Sequence, residues 1–169
     1  MRRLALLSAT LLVLLAACGG QTEPVEVTGT MPGPAEEIPG EVGGEPIEGS
    51  GVSWSTMRDE VYRAAFTDLS DERVNGDLET VMDIEITVEG DRTTGLLTIT
   101  SITITNDGGT WEGSGQGTST WTKTEPAHVH NIDFTLAGTG DYEGLQFTFH
   151  VEGVNYPWDL TGTIEPVET

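Results

Sequence analysis

The sequence predicts an all-β domain, an antiparallel barrel or sandwich of about six to eight strands. Three features carry that expectation: short runs alternating apolar and polar residues, Asn/Asp/Gly clusters between them, and a glycine strand bracketed by tryptophans. A secretion signal and a segment of quite different composition precede the domain.

Met1-Arg2-Arg3 is a basic lead, Leu4 to Leu14 an apolar run, and Leu15-Ala16-Ala17-Cys18-Gly19 has the form of a bacterial lipobox. The apolar stretch from Leu4 to Ala17 falls short of the ~20 residues that span a hydrocarbon core, which argues against a retained membrane helix. Residues 1–17 are therefore expected to leave as a lipoprotein signal peptide, with Cys18 carrying a diacylglycerol and acyl chains such as palmitate. Two or three chains, at ~0.8 kcal/mol per buried CH₂, hold a protein durably on a membrane. The expected location is the cell envelope, lipid-anchored to a bacterial membrane with the domain on the extracytoplasmic side. Cys18 is the sole cysteine, so no internal disulfide forms.

From Cys18 to Gly51 the chain alternates Pro24, Pro32, Pro34, Pro39 and Pro46 with glycines and glutamates, and contains no Lys, Arg or aromatic residue. Such a composition predicts a disordered acidic tether over 18–51, reaching roughly 30 Å and holding the domain clear of the headgroups.

Residues 52–169 have the length of one domain. Met57 to Phe66 fits a helix through Met57, Val61, Ala64 and Ala65, and a strand through Tyr62, Ala64 and Phe66; we read a strand after a short irregular entry. Asp83 to Glu89 alternates strictly, with Ile84, Ile86 and Val88 on one face. Between Leu97 and Ile104 the phase slips, because Leu97 and Ile99 share one parity and Ile102 and Ile104 the other. A β-bulge near Thr100-Ser101 reconciles them. Asn131 to Ala137 turns Ile132, Phe134 and Leu136 inward, Gln146 to Glu152 does so with Phe147, Phe149 and Val151, and Trp158, Leu160, Gly162 and Ile164 complete the series. Turns are signalled at Asn75-Gly76, Asn106-Asp107-Gly108-Gly109 and Gly138-Thr139-Gly140-Asp141.

Thr110 to Thr122 places Trp111, Gly113, Gly115, Gly117, Ser119 and Trp121 on one face. Inward glycines either leave room for a ligand or admit bulky side chains from other strands, and filling is the commoner outcome in a small barrel.

With 28 acidic residues against 7 basic, the formal charge is −21. A surface of this sign repels phosphate backbones and anionic headgroups, which excludes nucleic acid as a partner and leaves the lipid to hold the protein at the membrane. The acids are spread along the chain, as on a solvated surface.

Asn106-Asp107-Gly108-Gly109-Thr110-Trp111-Glu112-Gly113 and Gly138-Thr139-Gly140-Asp141-Tyr142-Glu143-Gly144-Leu145 resemble the hairpin and G-T-G-x-[FY]-x-G signatures of the allene oxide cyclase and dirigent-like barrels. Ser70-Asp71-Glu72-Arg73-Val74-Asn75-Gly76 is similar to the S-D-P-R-V-x-G run of uncharacterised actinobacterial envelope proteins with this barrel. The resemblance runs from about Phe66 to Ile164. It implies a single, calycin-like antiparallel barrel of about eight strands whose mouth or interior accepts an apolar molecule. The motifs are turn and packing motifs, so they bear on fold more than on activity. Plant allene oxide cyclases use a buried glutamate and a proline-bound water near an apolar pocket, and no residue set here matches that constellation or the acidic residues of dirigent pockets.

His128 and His130 form an i, i+2 pair that points two imidazoles to one side of a strand, with the parity of Ile132 and Phe134. No cysteine or third histidine lies at ligand spacing, so two polar residues at a strand entrance are expected, with no metal and no cofactor. Asp68, Asp71, Glu72, Asn75 and Asp77 lack the spacing of a calcium loop and read as an acidic turn. Neither a G-x-S-x-G elbow nor a phosphate-binding glycine loop is present. The expected function is non-enzymatic binding of a small apolar ligand or a protein partner, with Trp111, Gly113, Gly115, Trp121, His128 and His130 as candidate lining and no catalytic residues. An isomerase or cyclase of the allene oxide cyclase-like type and a purely structural envelope module remain open.

Overall fold

The computed structural model describes residues 23–44, 46–47, 51–122, 124 and 129–167. The expected signal peptide, Cys18 and His128 lie outside them. The described residues form one antiparallel sheet of eleven strands: β1 (Val25–Met31), β2 (Glu36–Ile38), β3 (Glu41–Gly43), β4 (Pro46–Ile47), β5 (Val52–Phe66), β6 (Gly76–Glu89), β7 (Arg92–Asn106), β8 (Gly109–Thr122), β9 (Val129–Gly138), β10 (Leu145–Val154) and β11 (Trp158–Pro166). Strands β5 to β11 pair in chain order, β1 adds to β11, and β2, β3 and β4 follow one another along the other side of β5. Among the described residues no helix is long and apolar enough to cross a membrane.

The inward parities read from the sequence are the buried ones. Ile132, Phe134 and Leu136 on β9, Phe147, Phe149 and Val151 on β10, and Trp158, Leu160 and Ile164 on β11 all enter one apolar cluster. Strands near both edges of the sheet feed it, Val27 and Met31 from β1 and Phe66 from β5. The sheet therefore curls about a single core, and the Phe66 ring meets Phe149 edge-on across it, 6.4 Å between centroids. Between β1 and the segment after β5, Ser70 N–H donates to the Thr28 carbonyl at 2.9 Å and Thr28 N–H to Ser70 Oγ at 2.9 Å. Gly29 allows this approach, since a Cβ there would lie 2.6 Å from Leu69 Cδ2.

A disordered tether is expected over 18–51, and within its described residues 23–44 and 46–47 β1 to β4 correct that expectation. Within the Pro/Gly/Glu composition, Val25, Val27 and Met31 keep a period-two alternation with Glu26, Thr28 and Thr30, and β11 offers a full set of backbone partners from Trp158 to Ile164. Burying Val27 and Met31 in the core offsets the ordering entropy that composition predicts would win. The short β2 and β3 remain exposed, and β2, β3 and β4 are tied to β5 by their ladders at Arg63, Arg58 and Ser53.

Two bulges bend the sheet at one level. On β7, Thr100 is the extra residue where Ile99 and Ile102 change register against β6 and β8, at the position the phase slip predicts. Thr100 Oγ1 donates to the Val81 carbonyl at 3.1 Å. On β5 the register shifts between Met57 and Glu60, and Asp59 takes φ 57°, a left-handed conformation that Asp tolerates better than most residues. Arg58 reaches Asp83 at 3.1 Å and Glu85 at 3.0 Å, while Asp59 N–H donates to Asp83 Oδ1 at 3.1 Å. The carboxylates of β6 thus hold the β5 bulge from the outer face.

Candidate functional site: an apolar cavity beside a buried carboxyl

The core divides along the strands. At one end it is filled by Trp111 stacked on Tyr142, 5.1 Å between centroids, with Phe147 edge-on at 5.8 Å. All three sequence motifs behind the family resemblance meet here. Trp111 Nε1 donates to the Arg73 carbonyl at 2.8 Å, Asn106 Nδ2 donates to the carbonyls of Arg73 at 3.0 Å and Asn75 at 2.8 Å, and the Tyr142 hydroxyl donates to Asn106 Oδ1 at 2.6 Å. The acidic turn is satisfied internally, with Asp71 paired to Arg73 at 2.7 Å and Asn75 bonded to both backbone groups of Leu69.

At the other end the core opens into a cavity of about 390 Å³. Its walls are apolar, Met57, Met82, Ile84, Ile86, Leu97 and Ile99 from β5 to β7 facing Trp121, Ile132 and Trp158 from β8, β9 and β11. The β7 bulge turns Ile99 inward, and the β5 bulge turns in both Met57 and Glu60 although their parities differ. An aromatic stack closes one side: Tyr156 and Trp158 lie 4.1 Å apart between centroids, and His130 lies 4.1 Å from Trp158. The hydroxyls of Tyr62 and Tyr156 hydrogen-bond across the cavity's rim.

Trp121 and His130, two of the residues singled out from the sequence, line the cavity. Trp111 lies in the filled end. Gly113 and Gly115 lie between the two ends and line no part of the opening. Leu136, Phe134 and Ile132 are the register partners of Gly113, Gly115 and Gly117, and β9 approaches so closely that a Cβ at Gly115 would lie 2.7 Å from the Phe134 ring. The glycine groove is occupied by the neighbouring strand, the filling alternative. Among the described residues no three His, Cys, Asp or Glu side chains converge as metal ligands do.

Sequence reasoning missed Glu60, Glu37 and Tyr62 as a group. Glu60 is only 6% exposed and lines the cavity among apolar side chains. Burial, and then the charge and hydrogen bond of Glu37, push its carboxyl up to about 7. Burial, and then the charges of Glu37 and Glu60, raise the Tyr62 phenol. A signal was present: Glu60 continues the even-numbered inward set Tyr62, Ala64 and Phe66, where a strand entering a core should carry an apolar residue. Glu37 carried none, because it sits in the segment whose composition predicts disorder.

Three buried polar atoms in the wall, Thr80 Oγ1, Ser119 Oγ and Trp158 Nε1, have no hydrogen-bond partner among the described residues. These residues are 1%, 5% and 3% exposed, respectively. An unmet buried donor or acceptor costs about 1–3 kcal/mol, so three of them on one apolar cavity are a cost that the described residues do not offset.

No protein-family model matches the chain, and neither a curated protein nor a solved structure is similar to it.

Proposed function

We propose that the chain is a lipid-anchored protein of the bacterial cell envelope whose sheet closes as a calycin-like barrel and binds a small, mainly apolar molecule in the open end. The cavity carries this reading: its volume falls in the range of small-molecule sites, its walls are apolar, and three of its polar atoms have no hydrogen-bond partner among the described residues. The hydrogen bonds between Thr28 and Ser70 support closure between the sheet's edges. The filled end, with the three turn motifs packed together, acts as the floor.

The lipobox supports attachment through Cys18. Gly19 to Pro24 are the six residues between that cysteine and β1, which even fully extended span no more than roughly 25 Å, so the domain sits near the headgroups rather than well above them. A ligand drawn from the membrane has a short path to such a cavity. Native mass spectrometry of the protein extracted from membranes tests the binding function. A co-purifying small molecule at one per chain is expected; protein that arrives empty and takes up no neutral amphiphile overturns the reading. Cys18→Ser is expected to release the folded protein from the membrane.

Glu60 favours a second reading, an isomerase or cyclase, because a buried carboxyl poised near neutrality can accept and return a proton. Solvent deuterium appearing in a bound apolar carbonyl compound, and lost in Glu60→Gln, would mark that activity.

A further inference from the structure

We propose that the cavity's ligand is an amphiphilic cation, an apolar body bearing an ammonium group that pairs with Glu60 and Glu37 beside the rings of Tyr62 and Tyr156. The inference rests on the reading of the cavity as a ligand site and adds the chemistry of the ligand's head.

Four observations converge on a positive charge. First, the polar end of the cavity has two carboxyls side by side, Glu60 and Glu37, the former in the wall and the latter on the exposed β2 at the rim. Second, among the described residues neither makes an ion pair, and no arginine lines the cavity. The two arginines on β5 are engaged elsewhere, Arg58 with Asp83 and Glu85 and Arg63 with Glu36 at 3.0 Å and Glu79 at 2.7 Å. Third, two tyrosines flank these carboxyls: Tyr62 is the register partner of Glu37, and its ring lies 6.0 Å from that of Tyr156. Carboxylates combined with aromatic faces are how proteins hold ammonium groups, since the ring quadrupole attracts cations and the carboxylate supplies the counter-charge. Fourth, the chain's net charge of −21 concentrates cations and repels anionic amphiphiles from the mouth.

A fatty acid fits this end poorly. Its carboxylate would be a third acid beside two others, with no cation to meet it. A neutral alcohol fits the apolar walls and the hydroxyls of Thr80 and Ser119 but leaves the carboxyl pair without a counter-charge. An ammonium removes the repulsion within the pair and returns Glu60 to its ionised form. The Trp158 indole N–H, a donor, would meet an acceptor oxygen on the ligand's body.

The test is competition on the full-length chain for a neutral fluorescent probe, using dodecyltrimethylammonium, dodecylammonium, dodecanol and dodecanoate below their micelle concentrations. Both cations are expected to displace the probe at concentrations about tenfold or more below that of dodecanol, with dodecanoate weakest. Glu60→Gln and Glu37→Gln should each collapse the preference for cations while leaving dodecanol displacement unchanged. Glu112→Gln, on the exposed face of β8, should leave it intact. Glu37 is exposed, so its variant decides the matter should Glu60→Gln fail to fold.

The proposal is overturned if dodecanol or dodecanoate competes as well as the cations, if both glutamine variants keep the preference, or if Glu112→Gln loses it equally. A cavity that takes the probe and all four competitors without regard to charge sinks this inference alone. Failure of the probe and every competitor to bind sinks the ligand-site reading as well.

Discussion

Buried Glu60 and half-buried Asn106 have opposite consequences for stability. Glu60 holds its proton more tightly in the folded chain, its carboxyl pushed from 4.5 up to about 7. Below pH 4.5 both folded and unfolded chains are protonated there and the group has no effect on the balance. As pH rises from about 4.5 towards 7 the unfolded chain loses that proton first, so stability falls through this window and levels off above it. Denaturation midpoints across pH 4 to 8 should therefore decline in the wild type, and the decline should be visibly smaller in Glu60→Gln. Asn106 instead meets four partners, donating to the Arg73 and Asn75 carbonyls and accepting from the Gly108 N–H at 3.0 Å and the Tyr142 hydroxyl. Replacing it with alanine strands those groups at the filled end, and chemical denaturation should show a loss of roughly 2–4 kcal/mol. Probe binding at the open end should be unchanged.

At the scale of elements, the strands are legible because period-two patterning survives wherever one face is wet, as on β9 and β10. The β7 bulge is legible for the same reason: Ile99 and Ile102 change parity, and only an extra residue lets both face inward. The β5 bulge escaped notice, since Met57 and Glu60 change parity too but a glutamate does not announce itself as an inward residue. β1 was obscured by composition, its two buried side chains outvoted by prolines and glutamates nearby. The site suffered most, because it is built where those two difficulties meet: Glu60 follows a hidden bulge and Glu37 lies beyond a hidden strand. On β8 the glycines mark close approach rather than space. Gly117→Val places side-chain atoms against the Asn131 carbonyl and the Ile132 Cα, and should cost ~3 kcal/mol or more in a denaturant titration. Gly95→Ala on β7 is the contrast, since a Cβ there meets nothing nearer than Ile84 Cγ2 at 3.4 Å and stability should barely move.

For the whole molecule, the division of the core separates a packed end that carries stability from the open end to which we assign binding. Trp111, Tyr142, Phe147 and the turns that enclose them concentrate aromatic packing and hydrogen bonds at one end. That leaves the other end free to keep unfilled volume and unsatisfied polar atoms, both of which weaken a core. On the proposed reading, the acidic surface selects by charge at the mouth, and a lipid on Cys18, six residues before β1, keeps the domain close to a membrane. Saturable uptake of a neutral apolar guest tests this division most directly. Full-length protein titrated with N-phenyl-1-naphthylamine should bind one probe per chain with enhanced probe fluorescence. Met82→Trp, which fills the cavity from β6, should abolish binding while keeping the β-sheet signal in circular dichroism. No saturable binding by the wild type, or equal binding by the filled variant, would contradict the account.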